Sequence, residues 1–307
     1  MIPLRLAAIL LVSAVAGPCL RAEQTFRIAG YLPEYRVEGL EATDIEGLTD
    51  LVVFSIQPQA NATLDASAWP KEKLRKAGRL ARSVNARLLV AVGGWGRSAG
   101  FAEMTRTDES RGRFARELLT FCKAHGFAGV AYDWEFPRNS REEAGMSKLL
   151  GDTRRLFGPS GRTVEIAVNP AKNLPKEWTI QVDAVQVMSY DNDARHATYE
   201  QAVADLDAMA RNAHPKKLLL GLPFYGRGTA NRHKAMSYAE IHRRFRPKAD
   251  QDEAGGYFFN GPATLAQKVK LARTRGLGGV MVWEIGQDAK DGDSLLRTIV
   301  TTVNKTP

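Results

Sequence analysis

Eight short apolar or β-branched runs recur along the 307-residue chain, with helix-like segments between them. The runs cover residues 27–32, 50–56, 87–94, 129–135, 163–169, 184–190, 217–224 and 278–284. Strands that alternate with helices are typical of repeated βα units and a parallel sheet. The pattern therefore predicts an α/β chain with a single (β/α)8 TIM barrel, and an open doubly wound sheet is the alternative.

Two of the intervening segments carry clear helix signals. Asp108 and Glu109 favour a helix start, and Gly126 favours its end. The segment 262–276 has apolar residues at helical spacing and closes on Gly276. We expect both segments to be barrel helices.

The N-terminus predicts export. Arg5 precedes an apolar run over residues 6–16, and a break at Pro18 leads to the small residue Ala22. We predict a signal peptide over residues 1–22, and a secreted or periplasmic domain over 23–307. A membrane anchor is the alternative, but the run is too short to span about 30 Å of hydrocarbon.

The cysteine count and the net charge indicate how the protein is stabilised and what it can bind. Without the signal only Cys122 remains, so an exported chain must rely on its core instead of an internal disulfide. The formal net charge is +9, or about +7 without Arg5 and Arg21. The basic side chains are scattered and not interleaved with aromatic ones, so we expect a solvated basic surface and no nucleic-acid partner. We also expect a monomer. Adhesion to an anionic wall is the alternative.

Polar and aromatic side chains cluster where the predicted strands end. They are Tyr31, Trp95, Asp133, Glu135, Asn169, Tyr190, Asp191, Tyr225, Arg227, Trp283 and Glu284. In a parallel barrel, functional side chains lie at this end of the strands. Carboxyl groups beside flat rings suit a sugar better than a phosphate, and the sequence has no metal-ligand cluster. We expect a carbohydrate site without metal or cofactor.

Ala131, Asp133 and Glu135 fall on one face of the fourth predicted strand, with successive residues of the set about 6.6 to 7 Å apart along it. In a barrel this face is the interior, where an unpaired carboxylate is costly. We therefore expect hydrogen bonds, shifted pKa values or a wet cavity. The structural alternative is that both acids cap the strand and pair with a basic neighbour such as Arg138.

These residues carry a family resemblance. The stretch GFAGVAYDWEFP (126–137) resembles the signature strand of family 18 glycoside hydrolases, the chitinase family, with its pattern D-x-x-D-x-D-x-E. LLVAVGGW is similar to the family's S-x-G-G motif and VMSYD to its M-x-Y-D motif. GLPFYGRG and GGVMVWE resemble its seventh and eighth strands. The resemblance covers about residues 28–288.

The resemblance implies hydrolysis with retention and without an enzyme nucleophile, because the substrate's own N-acetyl group attacks the anomeric carbon. By position, Glu135 is the general acid and then the base, and Asp133 orients the acetamido group. Tyr190 and Asp191 steady that group, and Trp283 forms the floor. Further binding candidates are Tyr31, Trp95, Met188, Tyr225 and Arg227. The implied substrate is an N-acetylglucosamine polysaccharide or oligosaccharide, such as chitin.

The chain departs from the pattern at three places. The family's first two acids are Ala128 and Ala131 here, and its serine is Ala91. Without a like charge at 131 we expect Asp133 to ionise more readily, with Glu135 as its only acid partner. We expect a working site with reduced activity.

Between Pro223 and Gly278 the sequence indicates one helix, over 237–245, besides the predicted barrel helix over 262–276 that leads to the last strand. Many family members insert a small α+β domain there, and we expect this chain to lack it. An open groove and internal cleavage would follow.

Other functions remain open. A lectin on the same barrel is the main alternative, although the presence of Glu135 favours an enzyme. Bacterial wall glycan and the core of N-linked glycans are alternative substrates. GRSAG (96–100) fits an esterase motif with Ser98 as nucleophile, and GWGRSA (94–99) mimics a dinucleotide motif, but both matches are weak.

Overall fold

The computed structural model describes residues 26–172, 174–192, 195–290 and 292–306. The predicted signal peptide, residues 1–22, lies outside the described residues. Within those ranges, no helix has the length and apolar character needed to cross a membrane.

The described strands are β1 (Arg27–Pro33), β2 (Asp50–Pro58), β3 (Leu64–Asp65), β4 (Arg87–Gly93), β5 (Gly129–Asp133), β6 (Thr163–Val168), β7 (Ala184–Val187), β8 (Leu218–Pro223), β9 (Tyr225–Gly228), β10 (Ala235–Ser237), β11 (Glu253–Ala254), β12 (Tyr257–Phe258) and β13 (Gly279–Trp283). The α-helices are α1 (Lys71–Ser83), α2 (Phe101–Met104), α3 (Asp108–His125), α4 (Ser140–Phe157), α5 (Lys176–Gln181), α6 (Tyr199–Met209), α7 (Tyr238–Phe245), α8 (Pro262–Thr274) and α9 (Leu295–Lys305). Short 3-10 turns cover Val37–Gly39, Ala42–Ile45, Gly158–Ser160, Pro215–Lys217 and Ile285–Gln287.

Eight parallel strands form a closed barrel. In order around the barrel they are β1, β2, β4, β5, β6, β7, β8 and β13, and β1 pairs with both β2 and β13. Each of the eight predicted runs coincides with one barrel strand. The (β/α)8 prediction is confirmed, and closure through β1 excludes the open doubly wound sheet.

The two predicted helices form for the expected local reasons. The Thr107 side chain caps α3 by accepting from the backbone N–H of Ser110 at 3.1 Å. Gly126 ends this helix with a φ of 73°, in the left-handed region that favours glycine. α8 starts with Pro262 directly after Gly261, where a missing backbone N–H is tolerated.

Strand alternation divides the core in two. Tyr132 and Trp134 face outward into the layer between strands and helices, which also holds the buried thiol of Cys122. Ala131 faces inward, in a smaller cluster with Tyr31 and Tyr190. The predicted inward face of β5 is therefore the face that leads to Asp133.

A buried ion-pair network fills the barrel near the starts of its strands. Arg27 donates through Nε to Asp50 Oδ2 at 2.9 Å and through Nη2 to Glu165 Oε1 at 2.7 Å. Arg87 Nε donates to Asp50 Oδ1 at 2.7 Å, and Gln186 Nε2 donates to Glu165 Oε2 at 2.8 Å. Both carboxylates are fully buried. Pairing is what makes such burial tolerable, because an isolated buried charge is strongly unfavourable.

The segment between β8 and α8 holds more than the single helix expected from the sequence. The predicted helix is present as α7, but four short strands accompany it in the order β10-β9-β12-β11. All four pair in antiparallel fashion. The sequence did not predict these four strands. Strands of two to four residues are too short to show a period-2 pattern in the sequence.

Candidate active site

A cavity of about 590 Å³ opens at the C-terminal ends of the barrel strands. Nine of the ten predicted site residues line it: Tyr31, Trp95, Asp133, Glu135, Met188, Tyr190, Asp191, Arg227 and Trp283. The tenth, Tyr225, stands behind Asp191 and donates its hydroxyl to Oδ1 of that carboxylate at 2.7 Å. The barrel therefore brings together side chains from strands far apart in sequence.

A close approach between the ends of β4 and β5 sets the position of the two acids. Gly93 and Gly94 have φ values of 95° and 103°, and a Cβ on Gly93 would clash with the carbonyl oxygen of Asp133. Ser98 donates to the carbonyls of Gly94 at 3.0 Å and Asp133 at 3.2 Å, and accepts from the Glu135 N–H at 3.1 Å. Ser98 thus ties backbone segments together, which argues against the esterase reading.

Asp133 is buried inside the barrel, and its Oδ1 has no hydrogen-bond partner. Burial, and then the charge of Glu135, raise the pKa of Asp133 well above its ordinary value. The expectation of easier ionisation compares Asp133 with a family site that has an acid at residue 131, and it stays a prediction. In this site burial is the largest influence on the pKa of Asp133.

Glu135 lies at the mouth of the same cavity. Burial raises its pKa to about 7, the backbone N–H of Trp95 works to lower it, and the charge of Asp191 works to raise it. Arg138, just before α4, pairs with Glu142 of that helix, with 3.2 Å between Nη2 and Oε1. Arg138 therefore does not pair with Asp133 or Glu135, and the structural alternative is wrong. A carboxyl group that is still protonated near neutral pH is suited to donate a proton.

Asp191 is held by a bidentate contact with Arg227. Arg227 Nε donates to Oδ1 at 2.7 Å and Nη2 to Oδ2 at 2.8 Å. Burial works to raise the pKa of Asp191, but the hydrogen bonds from Arg227 and Tyr225 bring it below its ordinary value. Asp191 is therefore a fixed negative charge beside two carboxyl groups that tend to be neutral.

Aromatic rings form the floor and inner wall. Trp283 meets Phe54 edge-on with ring centroids 4.6 Å apart, and lies 5.6 Å from the Tyr31 ring. Tyr190 is buried, and its hydroxyl lies 3.7 Å from the sulfur of Met281. Such a surface offers a flat apolar face beside hydrogen-bonding groups, which is what a pyranose ring presents.

The comparison with known families agrees with this geometry. The family model for "Glycosyl hydrolases family 18" matches residues 27–288 of this chain. The chain belongs to this family. The resemblance predicted from its motifs is confirmed.

Two named relatives from the family share about a quarter of the aligned residues with this chain. It is 25% identical over 278 residues to "Probable chitinase 10" of Drosophila melanogaster, covering 67% of this chain and 12% of that protein. It is 24% identical over 278 residues to "Chitinase 1" of Aphanocladium album, covering 70% of this chain and 64% of that protein. The chain thus spans less than two thirds of the length of either. A solved family 18 chitinase of Flavobacterium johnsoniae has the same fold, with a TM-score of 0.80, 24% identity and coverage of 92% and 94% of the two chains.

Several residues that line this cavity were not predicted from the sequence. They are Tyr35, Phe54, Arg97, Phe136, Ala167, Asn192, Arg232, His233 and Met281. Phe54 and Met281 carried a usable signal, because they alternate inward on predicted strands. Tyr35 and Arg97 lie on loops, where no periodicity tells which way a side chain points.

Proposed function

We propose that this protein is an exported glycoside hydrolase that cleaves β-1,4 bonds next to N-acetylglucosamine, with retention and with the substrate's acetamido group as nucleophile. The observation that carries the proposal is the carboxyl of Glu135, with a pKa of about 7, in one cavity with the buried carboxyl of Asp133. Asp133 is the last residue of β5 and Glu135 follows two residues later, so the two carboxyl groups lie at different places of one cavity and can take different roles along one sugar.

In the first step, Glu135 protonates the glycosidic oxygen while the acetamido carbonyl oxygen of the preceding sugar attacks its anomeric carbon. The leaving sugar takes the proton, and a positively charged oxazolinium ion forms. Asp133 orients the acetamido N–H and stabilises that charge. In the second step, ionised Glu135 takes a proton from water while the water oxygen attacks the anomeric carbon. The bond from that carbon to the acetamido oxygen breaks, so the oxazolinium ring opens and the configuration is retained overall.

The surrounding groups hold the sugar in place. Tyr190 and Asp191 steady the acetamido group, and Arg227 keeps Asp191 ionised through its bidentate contact. Trp283 is the stacking floor beneath the distorted ring. Trp95 is 78% exposed at the rim of the cavity, and an exposed indole at this place suits a neighbouring sugar.

We propose chitin or chitooligosaccharides as the substrate class. The curated relatives named above are called chitinases, and the motif around Glu135 matches the family pattern at its two last acids. Peptidoglycan and the core of N-linked glycans offer the same acetamido group and remain the alternatives. Residues 1–22 would direct export, leaving a domain over residues 23–307.

The test is product analysis with defined N-acetylglucosamine oligomers and, in parallel, with peptidoglycan and an N-linked glycan core. We expect shorter oligomers whose new reducing ends first appear as the β anomer, detected by proton NMR. Inverted products would contradict the acetamido mechanism. Oligomer binding without hydrolysis over a broad pH range would favour a lectin, and turnover of peptidoglycan alone would replace the substrate class.

A further inference from the structure

The alanine at residue 131 has a charged neighbour on the next strand. In the parallel register of β5 and β6, Ala131 lies beside Glu165. Both side chains face the barrel interior, and Glu165 is fully buried. A carboxyl group is thus present at the level of Ala131, one strand away from the place where the family pattern has it.

Glu165 starts a directed chain of hydrogen bonds toward the cavity. Its Oε1 accepts from Arg27 at 2.7 Å, and its Oε2 accepts from Gln186 Nε2 at 2.8 Å. The Oε1 of Gln186 in turn accepts from the hydroxyl of Tyr31 at 2.5 Å. All members of the chain are buried except part of Arg27.

The chemistry of each group allows only one direction. A carboxylate paired with a guanidinium accepts hydrogen bonds and donates none, so Gln186 must turn its amide NH₂ toward Glu165. The carbonyl of Gln186 then faces Tyr31. A carbonyl only accepts, so Tyr31 must donate its single proton there.

The direction of the Tyr31 hydroxyl proton matters because Tyr31 and Asp133 line the same cavity. Burial, and then the charges of Asp133 and Glu165, raise the pKa of Tyr31 well above its ordinary value, so the phenol keeps its proton. That proton is directed at Gln186, while the buried Oδ1 of Asp133 has no partner.

We propose that Glu165 is a positioning residue for Asp133: through Gln186 it fixes the direction of the Tyr31 hydroxyl and withholds that proton from the Asp133 carboxylate. The Oδ1 of Asp133 thereby lacks a hydrogen-bond donor in the free protein until a substrate acetamido N–H supplies one. The functional meaning rests on the proposed role of Asp133, but the proton arrangement can be measured without any turnover.

Other charged groups near Asp133 must be considered with it. Glu135 faces it from the end of its own strand, and Tyr190 and Asp191 approach from the end of β7. The ends of β4 and β6 contribute glycines and the neutral Ala167 at this level. Among the described residues of the cavity, Tyr31 is therefore the group from β1 whose proton direction can change.

The test follows the carboxyl carbon of Asp133 by NMR in protein labelled with ¹³C at aspartate Cγ, assigned by its loss in Asp133→Asn. In Glu165→Gln the neutral amide no longer fixes Gln186, so Tyr31 is free to donate to Asp133. We expect the titration midpoint of Asp133 to fall by on the order of one pH unit, because a hydrogen bond to the charged form favours it.

A double-mutant cycle distinguishes an effect that passes through the hydrogen bonds of Gln186 and Tyr31 from a direct electrostatic effect of the lost negative charge. In Tyr31→Phe, adding Glu165→Gln should leave the Asp133 midpoint unchanged to within about 0.2 units, far below a one-unit hydrogen-bond effect. Asp50→Asn is the matched control, since it breaks the other ion pair of Arg27 without touching Gln186. We expect Asp50→Asn to lower thermal stability and leave the midpoint in place.

Two results would overturn the inference. One is an unmoved Asp133 midpoint in folded Glu165→Gln, and the other is an equal shift with Phe at residue 31, which would mean direct electrostatics. If Glu165→Gln does not fold, Gln186→Leu frees the Tyr31 proton in the same way and must lower the midpoint. An absence of hydrolysis would contradict the proposed function but would leave these titrations as valid as before.

Discussion

Glu135 and Asp133 are chemically alike, but the barrel gives them different surroundings. Glu135 lies at the cavity mouth, with a pKa raised by burial to about 7. Asp133 lies deeper, with a buried oxygen that has no partner. Two carboxyl groups in different environments are the usual basis for dividing acid and electrostatic roles between them.

The first prediction concerns the pH dependence of kcat/KM. Glu135 must be protonated to act as the acid, so activity should be present below its pKa and fall as pH rises through about 7. Asp191 raises that pKa by its charge, so Asp191→Asn should move the basic limb to lower pH. Arg227→Gln should move it to higher pH, because Arg227 neutralises Asp191.

The positions of the limbs, and not the absolute rates, are the readout, since both variants alter the binding site. If the basic limb shifted in the same direction in both variants, its assignment to Glu135 would be contradicted.

At this scale the sequence locates the acids but not their ionisation. Strand alternation and the rule that barrel sites lie at strand ends are enough to place Asp133 and Glu135 in one cavity. The pKa of Asp133 depends most on burial. That burial arises from strands that are distant in sequence, so no local pattern reports it.

Among the elements, the pairing of β5 with β6 has the clearest consequence. It sets Ala131 beside Glu165, and β1 supplies Arg27 to pair with that carboxylate. The interior therefore already holds one carboxylate at this level, together with the cation that balances it.

The second prediction is that Ala131→Asp does not restore a family-like site. A new carboxyl group at residue 131 would be buried beside the carboxylate of Glu165, which already uses Arg27 as its cation. We expect loss of about 1–3 kcal/mol of folding free energy and no gain in turnover. Denaturant unfolding and initial rates measure both, with Ala131→Asn as the uncharged control of nearly equal size. A faster enzyme would mean that the alanine is a true deficit.

The barrel strands could be predicted because each is an apolar run of four or more residues between helix signals. The small sheet of β9 to β12 could not, since two of its strands are two residues long. Its register is set by tertiary pairing, such as Tyr257 with Gly228, and not by local propensity.

Across the whole molecule, the barrel supplies the floor of the cleft and the small sheet supplies one side. Arg227 of β9, with Arg232 and His233 from the loop that follows, lines the cavity. On the rim, Tyr35 and Trp95 are 62% and 78% exposed. The cleft is therefore open to solvent where a long chain could enter and leave.

The third prediction follows from that shape. An open cleft should accept a glycan in several registers, so the hexamer of N-acetylglucosamine should give early products of several lengths. Mass spectrometry of initial products measures this distribution. A single disaccharide product released from one end, with no intermediate lengths, would contradict internal cleavage.

The most direct test of the central claim is the effect of Glu135→Gln on turnover and on binding, measured on the same preparation. The account predicts a loss of about 10²-fold or more in kcat on N-acetylglucosamine oligomers, the scale of general acid catalysis. The Kd of the tetramer, measured by calorimetry, should change by less than about threefold, or well under 1 kcal/mol. Glu142→Gln, which alters a glutamate that pairs with Arg138 on α4, is the matched control and should keep full turnover. Unchanged turnover in folded Glu135→Gln would contradict the claim.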